Sequence, residues 1–227
     1  MESSRNEGKA MMDALAGIRV IDFTWYGAGP YCTLMMSLMG AEVIKIESRK
    51  RLDHSRTTGP AYEKTGSVDE SQAFNAGNMN KMSVTLNLKK PKAIEIAARL
   101  AVTGDVVANN FRAGVMDRLG LGYEVLRKIR PDIITLSSSS AGMGGPESDY
   151  AGFASVFGAL SGLGWMTGYQ DGPPVEMRLP MDYGSATMSL FAVLAALNCR
   201  KRTGIGQDVD LASREVPSCF IGDSLMD

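Results

Sequence analysis

From Ile18 to Leu211 the chain alternates short β-rich runs with stretches whose apolar residues recur at helical spacing. That rhythm constrains the fold more than any other feature, because strand–helix–strand units bury their faces together in a parallel sheet. Ile18 to Phe23 (IRVIDF) reads as the first strand. A glycine-containing turn, Gly27-Ala-Gly-Pro30, leads into a helix from Tyr31 to Met39, and Glu42 to Glu47 (EVIKIE) alternates as a second strand. The pattern continues with strands at Ser83 to Asn87, Asp105 to Asn109, Asp132 to Ser138 and Gln207 to Leu211. Helices fall at Pro91 to Val102, around Tyr123 to Ile129, and from Ser185 to about Arg200. The expectation is an α/β fold: a doubly wound parallel sheet with right-handed crossovers and flanking helices.

Two segments break the rhythm. Ser48 to Gly77 is polar, charged and too long for an ordinary connection, so it reads as a functional excursion over the strand ends. After Ser138 the composition shifts to Ser, Gly and Pro, and the glycines at 152, 158, 162, 164 and 168 imply close backbone packing. A length of 227 residues, at about 150 per domain, predicts one large domain, or one domain and part of another.

Composition removes several function classes. A net charge of -1 with 44% hydrophobic and 22% charged residues is ordinary globular composition, and it argues against nucleic acid or an anionic membrane surface as partner. Cys32, Cys199 and Cys219 are scattered, without disulfide-framework or metal-ligand spacing, which points to a reducing cytoplasm and no metal site. The longest apolar stretch, Ala186 to Cys199, falls short of the ~20 residues that span a bilayer.

Gly27 and Gly29 between a strand and a helix, with Glu47 ending the next strand, invite a dinucleotide reading. The fingerprint lacks its third glycine and carries Pro30 at the turn. What survives is a helix N-terminus whose free amides face the ligand end of the sheet. The only histidine, His54, lies in the charged excursion, and no G-x-S-x-G elbow occurs. Base catalysis therefore falls to a carboxylate, lysine or tyrosine, or to the substrate itself. Asp182, just ahead of the long apolar helix, fits two roles: an acid complementing the helix dipole, or a carboxylate nucleophile aimed into a cleft. Basic residues cluster at Arg49-Lys-Arg51 with Arg56, and at Lys81 with Arg112 and Arg118, either as a solvated face or as phosphate contacts. Asn110, Phe111 and Arg112, and the run Asp117 to Gly120, follow a strand end and suit a nucleotide with phosphates.

Five ordered stretches carry a family resemblance: Val20 to Thr24 with Ala28-Gly-Pro30, Gly40 to Glu47, Asn78-Met-Asn-Lys81, Asn110 to Gly120, and Arg202 to Gln207. From Leu15 onward the chain resembles class III CoA-transferases, the group containing formyl-CoA and carnitine CoA-transferases. The resemblance implies a Rossmann-like large domain that binds coenzyme A, and an aspartate that attacks an acyl-CoA thioester. Asp182 matches that aspartate. Ala28, Asn110, Phe111, Arg118 and Leu119 match positions lining the CoA site, and Lys81 lies in the matching N-x-N-K segment. The formyl-CoA enzymes carry glutamine where Gly27 stands and arginine where Ser48 stands, so formyl or oxalyl specificity is not implied and Arg49 is the candidate for the phosphate role. The related racemases pair a histidine with an acid, and Asp149 to Gly158 offers none.

The resemblance also implies a division into a flexible tail (1–14), a CoA-binding large domain (15–214) and the start of a linker helix (215–227) towards a smaller domain absent from this chain. The implied function is transfer of CoA from an acyl-CoA donor to a carboxylic acid through an aspartyl intermediate. The alternatives are a non-catalytic CoA-binding subunit or truncated remnant, or an acyl-CoA racemase. Coenzyme A and acyl-CoA enter as substrates, with no tightly bound cofactor. The expected protein partner is a second copy or a heteromeric subunit, and the expected location cytoplasmic.

Overall fold

The computed structural model describes residues 13–62 and 65–226, so residues 1–12 of the expected tail lie outside the described residues. In chain order the elements are β1 (Arg19–Asp22), α1 (Ala28–Leu38), β2 (Glu42–Glu47), a 3-10 turn (His54–Arg56), α2 (Gln72–Gly77), β3 (Met82–Thr85), α3 (Pro91–Ala101) and β4 (Val106–Asn109). There follow α4 (Val115–Arg118), α5 (Tyr123–Ile129), β5 (Ile134–Ser139), α6 (Ala154–Leu160), α7 (Leu179–Thr203), β6 (Asp208–Ala212), a 3-10 segment (Val216–Ile221) and α8 (Gly222–Met226). All six strands are parallel, in the order β3-β2-β1-β4-β5-β6, the doubly wound sheet that the alternation predicted.

Both sheet faces are covered, which is why the central strands read as nearly continuous apolar runs. Val20, Val43, Val106, Ile134 and Leu136 pack against Cys32 and Met36 of α1 and Ala186, Val193 and Ala196 of α7. On the other face Ile21, Ile46 and Val107 meet Ala97 and Ala101 of α3 and Leu126 of α5. The order in which strands are added reverses between β1 and β4, so the loops leaving their carboxyl ends run to opposite sides of the sheet and open a crevice between them. The opposite end of the sheet is closed by charge. Asp105 accepts the Arg19 N–H at 2.8 Å and pairs with Arg130 at 2.6 Å and Arg200 at 3.0 Å.

Two helix starts differ from expectation. α1 begins at Ala28 rather than Tyr31, because Pro30 lacks only an N–H that a first turn leaves unpaired anyway. α7 likewise begins at Leu179 rather than Ser185, with Pro180 in its first turn, so Asp182 lies inside that turn and not ahead of the helix. α7 stops at Gly204, whose φ of 73° is the left-handed cap that glycine adopts without strain. The polar excursion after Ser48 contains α2, capped by the Ser71 hydroxyl. Within 215–227, where the start of a linker helix was expected, a 3-10 segment, Val216–Ile221, buries Val216, Pro217 and Ile221 and leads into the short α8. Among the described residues no helix is long and apolar enough to cross a membrane, and no group of three or more His, Cys, Asp or Glu is placed to hold a metal ion.

Candidate active site

The crevice between β1 and β4 is floored by Thr24 to Gly27, and the amino end of α1 leaves this loop. The first helical bond of α1 runs from the Tyr31 N–H to the Gly27 carbonyl at 3.2 Å, so the Ala28 and Gly29 amides have no acceptor within the helix. α7 brings its own amino end to the same place. A Cβ built on Gly27 would lie 2.5 Å from Asp182 Oδ2, which places the carboxylate directly against the Gly27 backbone. Gly29 is equally constrained, because a Cβ there would lie 2.5 Å from the Thr24 side chain.

Among the described residues the Asp182 carboxylate accepts no hydrogen bond, and burial pushes its pKa up to about 6. A carboxylate that is partly stripped of water and lacks donors keeps its lone pairs free, and at neutral pH it is still ionised. Cys32 of α1 is fully buried, and burial pushes its thiol up to about 12, so it stays protonated and is no rival nucleophile. The mouth around Asp182 is aromatic. Tyr31 and Tyr183 lie 4.5 Å apart, and Tyr26 stacks on His54 at 5.2 Å and meets Phe153 edge-on at 5.8 Å.

A second glycine loop, Gly142 to Gly145, is less free to donate amides to an oxyanion. The Met143 N–H already donates to the Asp210 carboxylate at 2.9 Å, which leaves the α1 amino end as the better donor of the two.

The candidate CoA residues differ in their surroundings. Ala28 is buried at the start of α1. Asn110 is half-buried, and its amide clamps the Trp25 backbone: Oδ1 accepts the Trp25 N–H at 2.8 Å and Nδ2 donates to the Trp25 carbonyl at 2.6 Å. Phe111 meets Trp25 edge-on at 6.2 Å, and Leu119 packs under the same turn. Arg49 and Arg118 are exposed and make no ion pair among the described residues. Lys81 departs from its expected role. Its side chain is 1% exposed, and its ammonium pairs with Asp22 at 3.2 Å and donates to the Pro30 carbonyl and Thr33 Oγ1 at 2.8 Å and to Asn78 Oδ1 at 2.9 Å, so no donor is left for a phosphate.

Sequence reasoning passed over Trp25 and did not separate Arg51 from its basic neighbours Arg49 and Lys50. The Arg51 guanidinium lies 4.8 Å from the Trp25 ring centroid, so Arg51, Trp25 and Phe111 form a cationic and aromatic wall beside the crevice. A cavity of ≈ 110 Å³ under the Asn110–Gly114 turn is lined by Asn109, Arg112, Tyr123 and Asp208. The aspartate pushed up by burial there, Asp208, is not part of the Asp182 mouth.

The chain as a whole has known relatives. The sequence profile of CoA-transferase family III matches residues 15–227. The chain is 38% identical over 200 residues to mouse succinyl-CoA:glutarate CoA-transferase, covering 88% of this chain and 45% of that protein. It is 36% identical over 203 residues to the succinyl-CoA–L-malate CoA-transferase beta subunit of Chloroflexus aurantiacus, covering 88% and 49%. A CAIB/BAIF family protein from Brucella suis superimposes with a TM-score of 0.87 at 32% identity, over 93% of this chain and 56% of that one. The chain thus spans about half the length of the relatives it matches. A doubly wound sheet of matching topology, and a profile that runs through every element from β1 to α8, leave one assignment: the chain belongs to CoA-transferase family III.

Proposed function

We propose that this chain carries the nucleophile and the nucleotide-binding surface of an acyl-CoA:carboxylate CoA-transferase. The observation behind this reading is the Asp182 carboxylate: free of hydrogen-bond donors, set against Gly27, beside two unpaired amides at the start of α1. Asp182 attacks the thioester carbonyl of the donor, and the resulting oxyanion is met by the α1 amides. The C–S bond then breaks, giving an acyl-aspartyl anhydride and CoA thiolate. Attack of the thiolate on the Asp182 carbonyl releases the donor as a carboxylate and leaves an aspartyl-CoA thioester. The acceptor carboxylate attacks this thioester, and the returning thiolate takes the acceptor acyl group and frees Asp182. Each step exchanges one activated acyl bond for another, so no external energy source enters.

The names of the relatives make succinyl-CoA the first donor to test and a small organic acid the acceptor. Incubation with succinyl-CoA, trapping with hydroxylamine and mass spectrometry of the Asp182 peptide should give the hydroxamate on that residue. Trapping on any other residue would overturn the assignment. A partner subunit fits the same reading. Trp165, Tyr169 and Phe191 are 81%, 89% and 67% exposed, an apolar surface that a second chain can cover, and one relative is itself a beta subunit.

The nucleotide end of CoA is assigned to the segment after β4 that carries Asn110, Phe111 and Arg118, with Arg49, in the loop after β2, as the other candidate phosphate contact. Loss of one charge-assisted phosphate contact costs about 1.5–3 kcal/mol, roughly 10- to 150-fold in affinity. Titration of CoA and dephospho-CoA against Arg49→Ala and Arg118→Ala should show that loss, with folding stability unchanged because both arginines are exposed. A ligand of the 3′-phosphate loses its mutational effect with dephospho-CoA, and a diphosphate ligand keeps it. Wild-type affinity of both variants for both ligands would remove the site from this segment.

A further inference from the structure

The floor of the crevice is held in an unusual way. From the Thr24 N–H to the Tyr26 N–H, every backbone polar group is captured by a side chain. Asp22 accepts the Thr24 N–H at 2.8 Å, and Lys45 Nζ donates to the Thr24 carbonyl at 2.6 Å. Asn110 takes both the N–H and the carbonyl of Trp25. The Asp53 carboxylate accepts the Tyr26 N–H at 3.2 and 3.3 Å. Four captors from four places in the chain thus converge on one short loop.

Tyr26 is where this clamp does something a loop does not need. Its φ is 68°, in the left-handed region that a bulky residue avoids, and it is one of only two non-glycine residues with positive φ among those described. Such strain persists only where the surroundings over-determine it. The residue after it is Gly27, whose backbone meets the Asp182 carboxylate. The turn at Tyr26 therefore sets where the wall of the nucleophile stands. Asp53 is 3% exposed and lies 3.6 Å from Lys45 Nζ, both side chains being almost wholly buried. It is also tied to the Ser55 N–H at 3.0 Å and to the Ser55 hydroxyl at 2.7 Å, so its position is fixed independently of Tyr26. A buried pair on the end of β2 and in the excursion after it reaches across to the β1 loop, and nothing in local sequence links the two.

We infer that Asp53, paired with Lys45, is a positioning residue that holds the strained Tyr26–Gly27 turn against Asp182 and so keeps the nucleophile and the α1 amides in register. The inference rests on Asp182 being the nucleophile. Misplacing a reacting group by about 1 Å can cost up to about 100-fold in rate. Asp53→Ala should accordingly lower kcat by about 10- to 100-fold, with KM for acyl-CoA changed little, because Asp53 is buried and does not reach a ligand. Asp53→Asn retains an oxygen for the Tyr26 N–H and should recover most of that loss. A residue that only holds the fold together would lower the amount of folded protein and leave kcat per folded chain unchanged.

The test measures kcat, KM, the rate of adduct formation on Asp182, and hydrogen exchange at the Tyr26 and Gly27 amides. It uses wild type, Asp53→Ala and Asp53→Asn, with a partner subunit where transfer requires one. Faster exchange confined to these amides, slower adduct formation and an unchanged KM support the inference. Adduct formation at the wild-type rate in Asp53→Ala, or unchanged exchange at Tyr26, overturns it while leaving the transferase reading intact. If Asp53→Ala does not fold, the double variant Lys45→Met with Asp53→Ala, which leaves no lone buried charge and no acceptor for the Tyr26 N–H, is held to the same readouts as Asp53→Ala. A wild-type chain that never forms an adduct on Asp182 overturns the transferase reading, and this inference falls with it.

Discussion

Asp182→Asn is expected to abolish transfer, by about 10⁴-fold or more, with CoA still bound and the fold slightly strengthened. An amide oxygen at that position cannot attack a thioester, whereas the backbone contact with Gly27 and the α7 packing are unchanged. The pH dependence follows from the raised pKa of about 6, caused by burial. Transfer needs the ionised form, so kcat/KM of wild type should fall on the acid side of about pH 6. Stability runs the other way. Between the ordinary value of 3.8 and about 6 the folded chain holds a proton that the unfolded chain releases, so ionising Asp182 counts against the fold as pH rises through that window. Asparagine carries no charge to desolvate, and Asp182→Asn should be more stable above that window by on the order of 1 kcal/mol, after discounting for partial solvent exposure. Urea unfolding at pH 5 and pH 8, beside assays of transfer and of CoA binding, separates these effects. Wild-type transfer in Asp182→Ala would mean that another group is the nucleophile.

The same contrast between exposed reactivity and buried support explains what could be read from the sequence. The strand Glu42–Glu47 coincides with its expected span because its composition and its bounding turns agree. Its alternation, however, invites the wrong conclusion about Lys45, which shares a face with Val43 and is 1% exposed. In a parallel sheet covered on both faces there is no wet side for such a lysine, so it must find a partner. That partner, Asp53, sits in a stretch so polar that it reads as solvated surface. A buried ion pair between distant segments leaves no periodic trace, and each half taken singly looks like ordinary surface charge. Asp182 was legible as a candidate because few other groups remained for covalent chemistry. The Trp25 and Arg51 wall was not, since a tryptophan after a strand has no spacing signal, and Arg51 was indistinguishable from its neighbours Arg49 and Lys50 until the fold placed it over the ring.

Lys81 is the clearest case of a charge whose role the fold reassigns, and its removal should unfold more than it unbinds. Asp22, at the end of β1, is fully buried. Burial raises its pKa, but the Lys81 and Lys45 ammonium groups and the Thr24 and Thr33 hydroxyls more than compensate and hold it below the ordinary carboxylate value. Its contribution to stability is therefore complete above the unfolded pKa of 3.8 and is lost as pH falls through the lowered folded value. Lys81→Ala strips away the ion pair and also orphans the acceptors at Pro30, Thr33 and Asn78, which tie α1 to the segment before β3. Breaking a buried pair by deleting one partner costs about 3–5 kcal/mol, and most of it should be recovered in the double variant Lys81→Met with Asp22→Asn, where no uncompensated charge remains. A phosphate contact predicts the opposite pattern: weakened CoA binding, unchanged unfolding, and no rescue by a second substitution at Asp22. Urea unfolding and CoA titration on the same preparations decide between them. Lys81→Ala with wild-type stability and a lost affinity for CoA would return the lysine to the ligand.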